Sequence, residues 1–144
     1  MSFGRTETAI AIGIAIVVLI IGIAAFGMSG NADKRAEVER FVTSIREAEL
    51  AHFEKFDEYI GTDWVPRPRF EVNDEAVSWP EEGAFSHLGW TPTDRDVFGT
   101  YRVTVTGDDF TVTGVSDVDN DGQQAVFVAT RDSETVRQTA ENVY

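Results

Sequence analysis

The chain has no cysteine. That excludes disulfide staples, thiolate zinc sites, covalently attached c-type haem and cysteine nucleophiles together. Lysine is almost as scarce, with Lys34 and Lys55 the only two among 12 basic residues. Against 25 acidic residues, this leaves a formal net charge of −13 and a pI of about 4.4. Such a surface repels phosphates, so no nucleic-acid partner is expected. An acidic, lysine-poor surface suits a high-salt medium, where screening removes most of the self-repulsion. The 2 histidines, His52 and His87, are isolated in the sequence, and His52 is read as a packing or surface residue. Catalytic signatures are missing as well: there is no Gly-x-Ser-x-Gly elbow, no phosphate loop and no His-Glu-x-x-His. Paired acids such as Glu81-Glu82 and Asp108-Asp109 fall in loops, where solvated carboxylates are the ordinary reading. No enzymatic activity is expected.

Charge is absent altogether from Thr8 to Ala32. As a helix this run is about 38 Å long, enough to cross a hydrocarbon core of ~30 Å. It is too long for the apolar core of a removable signal, and the preceding residues Met1 to Glu7 are barely basic. A retained single span over residues 8–32 is therefore expected, after a short tail of residues 1–7, with membrane lipid as its surroundings. Gly13, Gly22 and the many alanines make the helix thin, and Ala9 and Gly13 begin a small-xxx-small face. Thin helices favour close helix–helix contact, so other membrane proteins or further copies of the chain are the expected partners. By the positive-inside count, Lys34, Arg35 and Arg40 after the span outweigh Arg5 before it.

From Asp33 onward the pattern changes. Val38, Phe41, Val42, Ile45, Ala48, Phe53 and Phe56 draw one stripe on an amphipathic helix spanning residues 33–61. Glu39, Arg46, Glu47, Glu54 and Asp57 lie on the other face. Asn31 or Asp33 is the expected cap and Gly61 the expected stop. Residues 62–144 read as a β-sheet domain with loops. Thr100 to Thr106 and Phe110 to Val115 alternate around a Gly107-Asp-Asp109 turn and predict a hairpin. Ala125 to Ala129 predicts a third, more buried strand, and Phe70 to Val72 a possible fourth. The fold class is thus α+β: a long N-terminal helix, first membrane-spanning and then amphipathic, packed on a small antiparallel sheet of three or four strands.

One site-like motif stands out, Asp117-Val-Asp-Asn-Asp121-Gly122. Asp117, Asp119 and Asp121 alternate before a glycine, as in the first half of a calcium loop, where alternation wraps oxygens around one ion. The closing acid of an EF-hand would fall at Val128, which has no ligating atom, leaving Asp132 or Glu134 as substitutes. Calcium is the cofactor this motif suggests, set against a plain acidic turn.

Several longer words resemble the type IV pilin and type II secretion pseudopilin families. Arg46-Glu-Ala-Glu-Leu-Ala-His-Phe-Glu-Lys-Phe-Asp-Glu-Tyr59 is similar to the end of a pilin stalk helix. Leu88-Gly-Trp-Thr-Pro92 followed by Gly99-Thr-Tyr-Arg-Val-Thr-Val105 resembles the start of a pilin sheet, and Ser116 to Gly122 its Asp-rich loop. The resemblance implies a filament or secretion subunit anchored in a bacterial inner membrane. It also implies that the C-terminal domain lies in the periplasm or outside the cell, against the positive-inside count. The start departs from the family: Gly4 is followed by Arg5, and Glu7 comes two positions early. That departure speaks against peptidase processing and opens an alternative, an accessory single-span subunit of a respiratory or photosynthetic complex.

Overall fold

The computed structural model describes residues 30–144. The expected span falls almost wholly outside them, and among the described residues no helix is long and apolar enough to cross a membrane. Helix α1 runs over Asn31–Phe56. It is followed by a 3₁₀ turn at Arg69–Glu71 and the short strand β1, Val77–Ser78. Helix α2, Ala84–Leu88, and strand β2, Asp96–Val97, come next. Strands β3 (Thr100–Thr106), β4 (Asp109–Ser116), β5 (Ala125–Thr130) and β6 (Val136–Arg137) complete the chain. The last four strands pair antiparallel in the order β3-β4-β5-β6, and β1 pairs with β2 in a separate small sheet. The α+β class, with one long helix on a small antiparallel sheet, is what the sequence pattern implies.

Register follows from alternation. Val103 pairs with Val112 and Val112 with Ala129 on one face, while Arg102, Thr113, Val128 and Val136 align on the other. A period of 2 sends Tyr101, Val103, Phe110, Val112, Phe127 and Ala129 to the same side, where all are buried. Helix α1 covers that side with Val38, Phe41, Val42 and Ile45. Two glycines set how closely it lies. A Cβ at Gly114 would meet Val38 Cγ1 at 2.7 Å, and one at Gly99 would meet Val38 Cγ2 at 2.8 Å. Only a hydrogen at these positions lets the helix rest directly on the sheet.

An aromatic cluster seals one flank. Trp90 meets Phe41 edge-on at 5.6 Å, and Trp79 lies 5.3 Å from both Phe85 and Trp90. The Trp90 indole N–H donates to Ser44 Oγ at 2.9 Å, which satisfies its buried donor. The region 62–99 is therefore more than connecting loop: α2 and the β1–β2 pair carry part of the core.

Four expectations are corrected. The fourth strand of the main sheet is β6, from the polar tail, whereas residues 69–71 form a 3₁₀ turn. Pro66 and Pro68 precede that segment and lack the N–H groups a ladder requires. The helix stops at Asp57, which adopts the left-handed conformation (φ 58°) and donates its N–H to the Phe53 carbonyl, four residues before Gly61. Gly30 occupies the N-cap position with no side-chain cap, so neither Asn31 nor Asp33 plays that part. Phe56 is 53 % exposed and Phe53 only half-buried. The cause is length. The 26 residues of α1 span about 39 Å, whereas the 8 residues of β4 reach only about 27 Å, so the last turns overrun the sheet.

Candidate functional site

The Asp117–Gly122 loop joins β4 to β5 at the end of the sheet where α1 begins. Its geometry is built by its own backbone. Asn120 and Gly122 both take positive φ, 55° and 83°, and so reverse the chain within a few residues. The Asp117 carboxylate lies inside the curve, accepting the Asp121 N–H at 3.2 Å and the Gly122 N–H at 3.1 Å. Asp121 accepts both the backbone and side-chain N–H groups of Gln123. Val118 is buried, and its N–H donates to the Tyr144 carbonyl at 3.3 Å. The C-terminal residues are thereby pinned to the loop. Arg35 holds the same stretch from α1, donating to the Glu141 and Val143 carbonyls and lying over the Tyr144 ring.

Asp117, Asp119 and Asp121 are brought together, with one carboxylate oxygen of each within 4.8 Å of the others. Asp117 is buried, while Asp119 and Asp121 are exposed. Burial pushes the Asp117 carboxyl above its usual range. The two N–H donors pull the other way, and the charges of Asp121 and Asp119 add to the rise. A divalent cation would relieve that repulsion, and carboxylate oxygens at this spacing suit calcium better than a softer metal. Calcium takes 6–8 oxygens, so three carboxylates would need backbone carbonyls and water to complete the shell.

The expected closing acids do not join the loop. Asp132 and Glu134 follow β5, whose length carries them roughly 20 Å to the opposite end of the sheet. There Asp132 pairs with Arg131 at 3.2 Å. The histidines are not brought together either. His52 lies against Phe56, with ring centroids 4.5 Å apart, and 3.8 Å from Glu58, while His87 is exposed on α2. Neither belongs to a metal-ligating group among the described residues.

Two buried carboxyls on α1 escape the apolar-stripe reading. Glu37 Oε1 accepts the Phe98 N–H at 2.9 Å, the Gly99 N–H at 3.3 Å and the Tyr101 hydroxyl at 3.3 Å. Burial nonetheless raises its pKa, because the loss of hydration outweighs those donors. Glu49 is fully buried and accepts the Ile60 N–H at 2.9 Å through Oε2, while Oε1 has no partner. Burial pushes it up to about 7. The signal was in the spacing, since residues 37, 41, 45 and 49 succeed one another on one helical face. Glu37 is a tether for the turn before β3, so it serves the fold. Comparison with known proteins brings no match for this chain, whether family model, curated protein or solved structure.

Proposed function

We propose that the chain is a membrane-anchored, pilin-like protein that acts without catalysis, as a subunit of a filament or secretion assembly held by protein–protein contacts. The observation that carries this reading is the position of α1. It begins at Asn31, where the uncharged run Thr8 to Ala32 ends, and it lays its first half on a four-stranded antiparallel sheet. An apolar segment leading into an amphipathic helix makes the sheet domain a head fixed to a span. Association then falls to the thin face of the span around Gly13 and Gly22 and to the surface of the head. In the same reading the Asp117–Gly122 loop takes calcium, supported by the carboxylates it gathers within 4.8 Å.

The test is gentle extraction of the full-length chain from membranes, followed by sizing beside Gly13→Leu and Gly22→Leu. Both substitutions keep the span apolar and add bulk where helices would meet. Wild type is expected to run as an assembly and the variants to fall apart. An assembly of identical chains supports the filament, and co-purifying unlike subunits support the accessory role. A wild type recovered uncleaved in the soluble fraction, or monomeric in native-membrane nanodiscs, refutes the reading.

A further inference from the structure

Glu49 occupies an unusual position for an acid. It is fully buried on the core-facing side of α1, four residues after Ile45. One oxygen accepts the Ile60 N–H and the other has no partner. A carboxylate so placed keeps little of its hydration, and an uncompensated buried charge is costly.

Among the described residues no countercharge faces it. On α1 itself, Arg46 is turned to the carbonyls of Thr130 and Arg131, at 2.7 and 2.8 Å. His52 packs on Phe56 and lies 3.8 Å from Glu58. From the following turn, Asp57 and Glu58 are exposed, and Tyr59 lies with its ring against Phe53 and Phe110. From the sheet, the inward residues at this end are Val103, Phe110, Val112 and Ala129, none of them ionisable, and Tyr101 lies one rung further toward the start of the helix with its hydroxyl donated to Glu37. Arg131, at the strand end, donates to the Asp108 carbonyl and pairs with Asp132.

The Ile60 N–H belongs to a turn with a structural task. Two residues later, Thr62 donates its N–H to the Val103 carbonyl, and its hydroxyl oxygen accepts the Val103 N–H, both at 2.9 Å. These bonds cover the outer edge of β3. Glu49 therefore sits behind the joint between the long helix and the segment that shields an edge strand.

We propose that the Glu49 carboxyl is a proton-operated latch on the Asp57–Thr62 turn: protonated, it holds the turn closed, and ionised, it favours release. Opening gives the carboxylate water, so the open form binds its proton more weakly than the closed form. With the closed-state value at about 7 and an ordinary value of 4.5, opening is suppressed at acid pH. It grows about tenfold per pH unit between these limits and levels off above the upper one.

Amide exchange on the full-length chain in a mild non-ionic detergent tests this, with intrinsic exchange rates divided out. The Ile60 amide is expected to open faster than that of Val112 in the sheet centre, and its opening constant to rise roughly fortyfold between about pH 5 and 7. Glu49→Gln keeps an acceptor for Ile60 and removes the charge, so its profile is expected to be flat. A flat wild-type profile, or an equal slope in the variant, overturns the proposal. So does an Ile60 amide that exchanges only together with Val112, since release would then be global unfolding. Should the variant fail to fold, ¹³C titration of the wild-type Glu49 carboxyl decides: a midpoint near 7 that coincides with the pH at which local opening of the Ile60 amide levels off upholds the latch, and one in the ordinary carboxylate range removes it.

Discussion

Replacing Gly114 with alanine adds one methyl group where α1 meets β4. The new Cβ would stand 2.7 Å from Val38 Cγ1, with Val42 Cγ2 also against it and Tyr101 Cδ1 at 3.2 Å. Carbon atoms rest at about 3.5–4.0 Å, so the helix must shift by several tenths of an ångström or the two valines must leave their rotamers. Both valines are fully buried and β-branched, which leaves them little freedom. Overpacking of this kind costs about 1–3 kcal/mol. Removing a strand-interior glycine returns roughly 0.5–1 kcal/mol through the unfolded chain. The net expectation is a loss of about 1–2 kcal/mol, or roughly 4–8 °C in melting temperature for a domain near 100 residues. The assay is thermal melting followed by near-ultraviolet circular dichroism, for wild type, Gly114→Ala, Val38→Ala and the double variant. Val38→Ala alone opens a cavity, and the added methyl partly fills it, so the double variant should be more stable than the sum of the single losses predicts. An interaction energy of about 0.5–3 kcal/mol is the sign of direct contact. A stabilising Gly114→Ala, or strict additivity in the double variant, would refute the close seating of the helix.

Four further outcomes follow from contacts elsewhere in the domain. Phe56→Ala should change stability by no more than about 0.5 kcal/mol, because the ring is 53 % exposed, whereas Phe53→Ala should cost more through its stacking on Tyr59 at 4.5 Å; equal losses in urea titrations would contradict the overrun of the helix end. Glu37→Ala should cost about 1–3 kcal/mol by orphaning the Phe98 and Gly99 amides and the Tyr101 hydroxyl. Glu37→Gln keeps an acceptor, and because the native pKa is raised, wild type should gain stability relative to it as pH falls through that raised value toward the usual 4.5; a gap that widens toward acid pH in favour of the glutamine variant would reverse the sign. Calcium at a hundredfold excess over its Kd should raise stability by about 2.7 kcal/mol relative to chelator, with Asp119→Asn shrinking the difference; superimposable melting curves at millimolar calcium would leave the Asp117–Gly122 loop an ordinary acidic turn.

Local alternation carried much of the fold. Thr100 to Thr106 and Phe110 to Val115 read as strands because a period of 2 with one buried face leaves little choice of register, and Ala125 to Ala129 because a short run of apolar residues reads as a more buried strand. The stripe from Val38 to Ile45 likewise marked the helix face that meets them, and three aspartates around a glycine marked a loop that gathers their carboxylates. Other features depended on residues distant in sequence. Whether Phe56 is core or surface depends on where the sheet ends, and nothing in its own neighbourhood records that length. Residues 136–137 become a strand because β5 offers Phe127 and Val128 a free edge, not because two residues have a pattern. Glu37 and Glu49 look like solvated helix charges until the turns at Phe98 and Ile60 bring their amides to them. A polar group enters a core only where a partner arrives from elsewhere in the chain, and that arrival is a property of the tertiary structure alone.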